Sequence, residues 1–206
     1  MTTTKARQRR KEDRPGEILQ AAVEEFAEYG FGAAKIENIA KRCGVAKGTV
    51  YLYYATKEDL FEALVRDRIK PFIGQVDAMV SMWPGSSSDL LRKLVGMFYS
   101  EMIEDDERRM VLRILISEGG RFEHLAKFYY DEVLSGARGL LSQVIQNGIA
   151  SGEFRDTPIA KEPRVIVGPA IFAAVWKMTF DKAEKLKTKQ WMEAHIDLVI
   201  HGLKSS

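Results

Sequence analysis

The chain has 206 residues, 46% of them hydrophobic and 29% charged, with a formal net charge of +2. This balance is typical of a globular protein and excludes a disordered or fibrous chain. No apolar run approaches the roughly 20 residues that cross a bilayer, and the amino terminus lacks the apolar segment of a signal peptide. We therefore expect a cytoplasmic protein that does not enter a membrane, with a small domain fused to a larger one.

Residue types that carry enzyme chemistry are sparse in this sequence. The single cysteine, Cys43, excludes an internal disulfide; it is typical of a small buried residue, with a redox sensor as the alternative. None of His124, His195 and His201 belongs to a zinc or nucleophile motif, and the acidic run at 104–107 is typical of a solvated turn. We therefore predict no enzymatic activity, no metal and no cofactor, and we disfavour an RNA-binding module because the aromatic residues follow core spacing.

The chain begins with a basic tail and a helix. Residues 1–16 carry six basic and two acidic side chains, a local net charge of +4. Such a tail can follow a DNA backbone or enter a minor groove, or it can be a flexible, solubilising end. Helical spacing then connects Ile18, Phe26 and Tyr29 on a helix that we expect Pro15 to start and Gly30 to end.

The next stretch, IENIAKRCGVAKGTVYLYY at 36–54, has the pattern of two short helices joined by a tight turn. Ile36, Ile39 and Ala40 fall on one face of the first helix, and Gly44 follows it where a left-handed backbone ends a helix at least cost. Such a pair forms a helix-turn-helix, whose second helix lies in the major groove when the motif binds DNA. Spacing alone leaves open a helix-turn-helix with no role in DNA binding.

The second helix of this motif starts near Ala46 or Lys47 and directs Val50 and Tyr54 toward the core. Its outward residues offer an ammonium group, a hydroxyl, phenols and a close approach to the backbone, all of which suit phosphates and base edges. Those residues are Lys47, Gly48, Thr49, Tyr51 and Tyr53. A solvated, half-packed surface is the alternative interpretation.

Further helices are predicted throughout the remaining chain. Thr56 and Asp59 cap the next helix, and Lys57 beside them is free to touch a phosphate. A long apolar stripe then runs from Leu60 to Val80, and we expect Pro71 to kink the helix that carries it. A loop at 84–89, with Ser88 or Asp89 as the cap, precedes the others. Their expected ranges are 90–104, 108–118 with Leu112, Leu115 and Ile116 on its apolar face, 123–151, 164–182 and 189–203. No alternating pattern of strands occurs, so the sequence predicts an all-α fold.

The run IENIAKRCGVAKGTVYLYYATKEDLF, together with RPGEILQAAVEEFAEYGF before it, resembles the DNA-binding region of the TetR/AcrR family of bacterial transcriptional regulators. The resemblance covers roughly Arg14 to Leu64. The sequence departs from the family pattern at two positions. Lys35 stands where the family usually has Ser or Thr, and its charge can replace the hydroxyl contact. Leu52 stands where an aromatic or polar residue is common, which bears on the operator that is read. The resemblance implies an amino-terminal three-helix DNA-binding domain at 14–60 after a tail at 1–13, and a larger helical effector and dimerisation domain at 61–206.

From the resemblance we predict that Lys35, Ala46 and Lys57 join the outward residues as DNA contacts, and that the last two helices pair in a homodimer. It also implies an effector pocket between the middle helices. Apolar and aromatic side chains of the body are compatible with such a pocket and, each taken alone, more compatible with core packing. The predicted lining is Met79, Phe98, Met102, Leu112, Ile116, Phe128, Tyr129, Phe172 and Trp176.

The predicted function is therefore a DNA-binding transcriptional repressor. As a dimer it binds a near-palindromic operator, with half-sites about one helical turn apart, and a small apolar or aromatic effector releases it by shifting the helix around Pro71. A regulator that responds to a protein partner instead of a small molecule is the alternative.

Overall fold

The computed structural model describes the backbone of residues 2–204 and the side chains of residues 13–204. The first helices are α1 (Thr2–Ala33), α2 (Ile36–Arg42), α3 (Lys47–Tyr53), α4 (Lys57–Arg68), α5 (Lys70–Met82) and α6 (Ser87–Phe98). After a π-helical turn at Tyr99–Ile103 come α7 (Asp106–Glu118) and α8 (Glu123–Tyr129), then a second π-helical turn at Tyr130–Leu134. The last helices are α9 (Ser135–Ala150), α10 (Pro158–Lys161), α11 (Arg164–Thr179) and α12 (Thr188–Leu203).

The all-α prediction is confirmed. Within residues 2–204 the β pairing is confined to one isolated antiparallel bridge between Phe154 and Lys204. Over the same residues, no helix combines the length and the apolarity that crossing a bilayer needs.

The chain divides into two compact units. Unit 1 comprises Met1–Arg68 and Met110–Tyr129, and unit 2 comprises Ile69–Arg109 and Tyr130–Ser206. Unit 1 therefore contains the whole of the predicted DNA-binding domain together with a segment from the middle of the chain. The side chains of residues 1–12, most of the predicted basic tail, lie outside the described part, so its contact with DNA stays a prediction.

In unit 1, α1 is longer than its sequence pattern indicates. It begins at Thr2, with Pro15 inside it, so the expectation that Pro15 starts the helix is wrong; proline keeps a helical φ and removes one N–H donor. Gly30 has φ 75° and ψ 167°, a conformation that interrupts the helix, as expected, before a short further turn ends at Ala33. The buried face of α1 includes Ile18 and Phe26, both fully buried.

The long kinked helix expected around Pro71 is instead two helices. The first, α4, ends at Arg68, and α5 begins at Lys70, so Pro71 lies in the first turn of α5. Proline suits that position because the N–H groups of a first turn have no partner within the helix. Thr56 and Asp59 cap α4 reciprocally, with N–H to side-chain oxygen distances of 2.9 and 3.0 Å, which confirms the predicted capping pair.

In unit 2, two further expectations are corrected. The cap of α6 is Ser86, whose hydroxyl accepts the Asp89 N–H at 3.0 Å, instead of Ser88 or Asp89. The helix expected to reach residue 104 passes into a π-helical turn, which buries Tyr99, Met102 and Ile103. The end of α9 agrees with the prediction, since Gly152 follows it with φ 78°.

Polar groups join three helical segments in the core of unit 2. The imidazole of His195 on α12 is 4% exposed. Its Nδ1 lies 3.1 Å from the Tyr99 hydroxyl, and its Nε2 lies 2.7 Å from the Ile166 carbonyl oxygen on α11. Because the carbonyl can only accept, the Nε2 donates to it and the Nδ1 accepts from the phenol. Burial lowers the pKa of His195 and raises that of Tyr99 to about 12.

Candidate nucleic-acid interface

The helix-turn-helix has the geometry that its sequence predicts. Ile36, Ile39 and Ala40 are buried on one face of α2, and Val50 is the fully buried residue of α3. The turn between the two helices depends on Gly44, whose φ of 65° lies in the left-handed region that side chains disfavour. Tyr54, expected to face the core, follows α3 and is half-buried, with its hydroxyl donating to the Pro15 carbonyl at 3.4 Å.

The outer face of α3 is centred on a residue that the predicted contact set omits. At 100° per residue, Gly48 and Leu52 lie opposite the buried Val50. Leu52 is 83% exposed, whereas Tyr51, at the side of this face, is 44% exposed. The helical register relative to Val50 identifies Leu52, which the sequence marked as a departure that bears on the operator but not as a DNA contact.

The remaining predicted contacts surround this face. Gly48 and Ala46 are exposed, with Ala46 at the amino-terminal end of α3, and Thr49 and Tyr53 are half-buried. Lys35 is exposed at the start of α2, and its side chain makes no capping hydrogen bond. The side chain is therefore available for the charge contact predicted in place of a hydroxyl.

Lys47 is exposed and has an intramolecular acid as its partner. Its ammonium forms an ion pair with Glu37 of α2 and lies 5.6 Å from the ring centroid of Tyr51. The hydrogen bond between the two raises the pKa of Lys47 and lowers that of Glu37. α3 carries no acidic residue of its own, but a phosphate that binds Lys47 must displace Glu37 or share the ammonium with it.

The expectation that Lys57 is free to touch a phosphate is wrong. Its ammonium donates to the carbonyl oxygens of Gly32 and Ala34, at 3.0 and 3.1 Å, and lies 4.7 Å from the ring centroid of Phe31. Burial lowers the pKa of Lys57. The carbonyl groups before α2 lack helical partners, and Lys57 at the start of α4 satisfies them.

A buried carboxylate braces the motif against α1. Glu25 is fully buried. It accepts hydrogen bonds from the Nδ2 of Asn38 at 2.8 Å, the Nε of Arg42 at 3.0 Å and the backbone N–H of Lys35 at 3.3 Å. The Arg42 side chain therefore turns back toward α1, where it also pairs with Glu28.

The predicted effector-lining residues are divided between the two units. Leu112, Ile116, Phe128 and Tyr129 belong to unit 1, and Met79, Phe98, Met102, Phe172 and Trp176 belong to unit 2. Ile116 is 53% exposed because α7 buries Met110, Val111 and Ile114 instead of the expected face. Two open clefts of about 510 Å³ each, lined mostly by polar and charged residues, contain none of the nine. The effector site therefore stays a prediction.

Metal and redox chemistry gain no support from the described side chains. Over residues 13–204, no group of His, Cys, Asp and Glu side chains is arranged to hold a metal ion. Cys43 is partly buried, and its burial raises the pKa of the thiol, so the thiolate that oxidation requires is disfavoured.

A helix-turn-helix that exposes one face of its second helix, with lysines and phenols around that face, defines a DNA-binding regulator. Comparison with known proteins supports this class. Residues 18–64 match the family model described as "Bacterial regulatory proteins, tetR family". The fatty acid metabolism regulator protein of Bacillus subtilis is 29% identical over 140 residues, covering 68% of this chain and 70% of that protein.

Two further comparisons extend over most of the chain. The transcriptional repressor KstR2 of Mycolicibacterium smegmatis is 25% identical over 195 residues, 94% of this chain and 92% of that protein. The structure of the fatty acid degradation regulator FadR from Bacillus halodurans is similar with a TM-score of 0.75 and 27% identity, over 92% of this chain and 99% of that one. The chain belongs to the TetR family of bacterial transcriptional regulators.

Proposed function

We propose that this TetR-family regulator represses transcription by binding a near-palindromic operator as a homodimer, and that a small apolar effector releases it. The observation that carries the proposal is the outer face of α3, where Leu52 is 83% exposed and Tyr51 is 44% exposed beside the exposed Lys47. A helix of this kind presents apolar and hydrogen-bonding groups to base edges and a charge to phosphates. KstR2, to which nearly the whole chain aligns, is itself named a repressor.

The DNA contacts separate into two kinds. Lys35, Lys47 and the N–H groups at the start of α3 suit phosphates, which set affinity and its dependence on salt. Thr49, Tyr51 and Leu52 suit base edges, and the apolar Leu52 suits a thymine methyl group. Ala46, Gly48 and Tyr53 complete the surface by allowing close approach or by adding a hydroxyl.

Operator binding tests this division. Fluorescence anisotropy would be measured in a salt series with DNA that flanks the gene and with unrelated DNA. Lys47→Ala is expected to weaken both and to reduce the salt slope by about 1, whereas Leu52→Ala is expected to weaken operator binding and leave unrelated DNA unaffected. Lys93→Ala, an exposed lysine on α6, is the control. Full operator affinity after both Lys47→Ala and Tyr51→Ala contradicts the proposed interface.

The dimer surface that we propose lies on α11 and α12. These helices expose large apolar side chains, with Val165 59%, Phe172 47% and Leu198 65% exposed. Burying them against a second copy removes apolar surface from water, and two-fold symmetry would present two α3 helices to half-sites roughly 34–36 Å apart or a multiple of that. Leu198→Glu is expected to give a monomer in light scattering and to abolish operator binding. Met82→Glu, at a 78% exposed residue of α5, is the control.

The effector class that we propose is a fatty acid or its thioester with coenzyme A. Two proteins similar to this chain are named regulators of fatty acid metabolism and fatty acid degradation. The predicted lining includes Met79, Met102 and Phe98, which adapt to a long apolar chain. Release of a labelled operator would be followed with a long-chain fatty acid, its coenzyme A thioester and an aromatic acid. Release by the aromatic acid alone contradicts the class, and release by none of them favours a protein partner.

A further inference from the structure

The break in α1 leaves backbone groups that side chains of α7 satisfy. In an uninterrupted helix the Phe31 N–H would pair with the Ala27 carbonyl. Here the Phe31 N–H donates to Oε1 of Glu118 at 2.6 Å, and the Ala27 carbonyl accepts from Arg113 at 2.6 Å. The Gly32 N–H donates to the other carboxylate oxygen of Glu118, also at 2.6 Å. One carboxylate therefore holds two successive N–H groups directly after the left-handed Gly30.

The same short segment is held from its other side. Lys57 donates to the Gly32 and Ala34 carbonyl oxygens, and the ring of Phe31 is fully buried. Its ring centroid lies 5.0 Å from that of Phe122 and 5.9 Å from that of Phe61. Glu118 thus accepts hydrogen bonds from the N–H groups of this segment, and Lys57 donates to its carbonyl oxygens. Together they fix the position and orientation of the chain between α1 and α2.

Neither glycine of the segment has room for a side chain while Glu118 is in place. A Cβ added to Gly32 would lie 2.7 Å from Oε2 of Glu118, and one added to Gly30 would lie 2.9 Å from its Oε1. Gly32 does not have a left-handed backbone, so a side chain there would conflict with the Glu118 carboxylate and not with the backbone conformation. The Glu118 carboxylate therefore occupies the space that side chains at Gly30 and Gly32 would need, an arrangement that we call the fitted contact.

We propose that Glu118 is a positioning residue for DNA reading: by holding the Phe31 and Gly32 N–H groups, it fixes the corner from which α2 and α3 extend. The inference rests on the proposed function. Glu118 is the last residue of α7, a helix that begins in unit 2 and ends in unit 1.

The proposal predicts a specific kind of defect. If the corner relaxes, only a fraction of molecules holds α3 in the geometry that the operator requires, and the apparent Kd rises by the inverse of that fraction. With Glu118→Gln we expect the operator Kd to rise about tenfold, since one charge-assisted hydrogen bond is lost and another is weakened. Binding to unrelated DNA depends on phosphate neutralisation and should keep its affinity and salt slope.

The affinities for operator DNA and for unrelated DNA are measured by fluorescence anisotropy for the full-length wild type and for Glu118→Gln. The matched control is Glu123→Gln, which removes an equal charge from an exposed position on α8. Operator binding by the wild type is measured first, because its absence refutes the proposed function independently of Glu118. Removing an acid should by itself favour DNA, so weaker operator binding by Glu118→Gln but not by Glu123→Gln supports positioning. Wild-type affinity in Glu118→Gln overturns it, as does an equal loss on both DNAs with a lower melting temperature, which indicates a merely structural role.

A second variant tests the fitted contact without removing the charge. Gly32→Ala should displace the carboxylate and weaken operator binding in the same direction. The double variant of Gly32→Ala and Glu118→Gln should then be no weaker than the stronger single variant, because both changes break one interaction. Additive losses in this cycle contradict the proposal.

Discussion

Two adjacent glutamates on α1 offer a sharp test of the reasoning about the motif, because both pair with Arg42 and differ in burial. The side chain of Glu25 is 0% exposed and that of Glu24 is 52% exposed. Glu25→Gln keeps the size of the side chain but directs an NH₂ group at donors from α2. Losing charge-assisted hydrogen bonds in a buried site costs about 2–3 kcal/mol. For a chain of this length that lowers the melting temperature by about 5–10 °C.

The control, Glu24→Gln, removes the same charge from solvent. Its oxygen lies 3.6 Å from the guanidinium of Arg42, and an exposed pair of this kind contributes about 0–1 kcal/mol. We expect a change in melting temperature of at most about 4 °C. Melting would be followed by circular dichroism at 222 nm and neutral pH. Equal shifts for the two variants would refute the argument that burial of Glu25, instead of its charge alone, stabilises the motif.

Three other variants test separate contacts. Glu37→Gln frees Lys47 for phosphate, so operator affinity should rise and the salt slope should become steeper; unchanged anisotropy curves would contradict the competition. Ser86→Ala removes the cap of α6 and should cost about 1 kcal/mol in urea unfolding, whereas Ser87→Ala, one residue later, should cost less. Burial lowers the pKa of His195 in the fold, so the unfolded chain binds the proton more readily and stability should fall as pH drops below about 6.5. Melting temperatures between pH 5 and 8 should show a weaker dependence in His195→Gln.

The features that the sequence predicted well are those specified locally. Helical spacing and the requirement for glycine at positive φ placed Ile39, Gly44 and Val50 as the structure has them. The Thr56 and Asp59 cap is likewise a matter of residues three positions apart. Each of these depends on neighbours along the chain, so a pattern of a few residues is sufficient to predict it.

The features that were missed depend on partners distant in sequence. Lys57 was expected to be free, yet its acceptors lie on the segment before α2, and no pattern around position 57 indicates them. The role of Glu118 requires Phe31 and Gly32, 87 and 86 residues away. The buried face of α7 differs from the predicted one because six of the seven residues at 110–116 are apolar, so periodicity does not select one face.

The acids of unit 1 also explain how a chain with a net charge of +2 can present a surface suited to DNA. The carboxylate of Glu25 is buried against the Arg42 guanidinium, and that of Glu118 accepts two backbone N–H groups. An ion pair whose charges lie about 3 Å apart, such as Glu25 with Arg42, acts on a distant phosphate as a dipole, whereas uncharged N–H groups leave the negative charge of Glu118 in place. Glu37, which pairs with Lys47 at the outer surface, differs because the proposed DNA contact of Lys47 competes with this ion pair. Removing a negative charge should therefore strengthen operator binding at Glu37 and weaken it at Glu118, although net charge alone predicts the same sign for both.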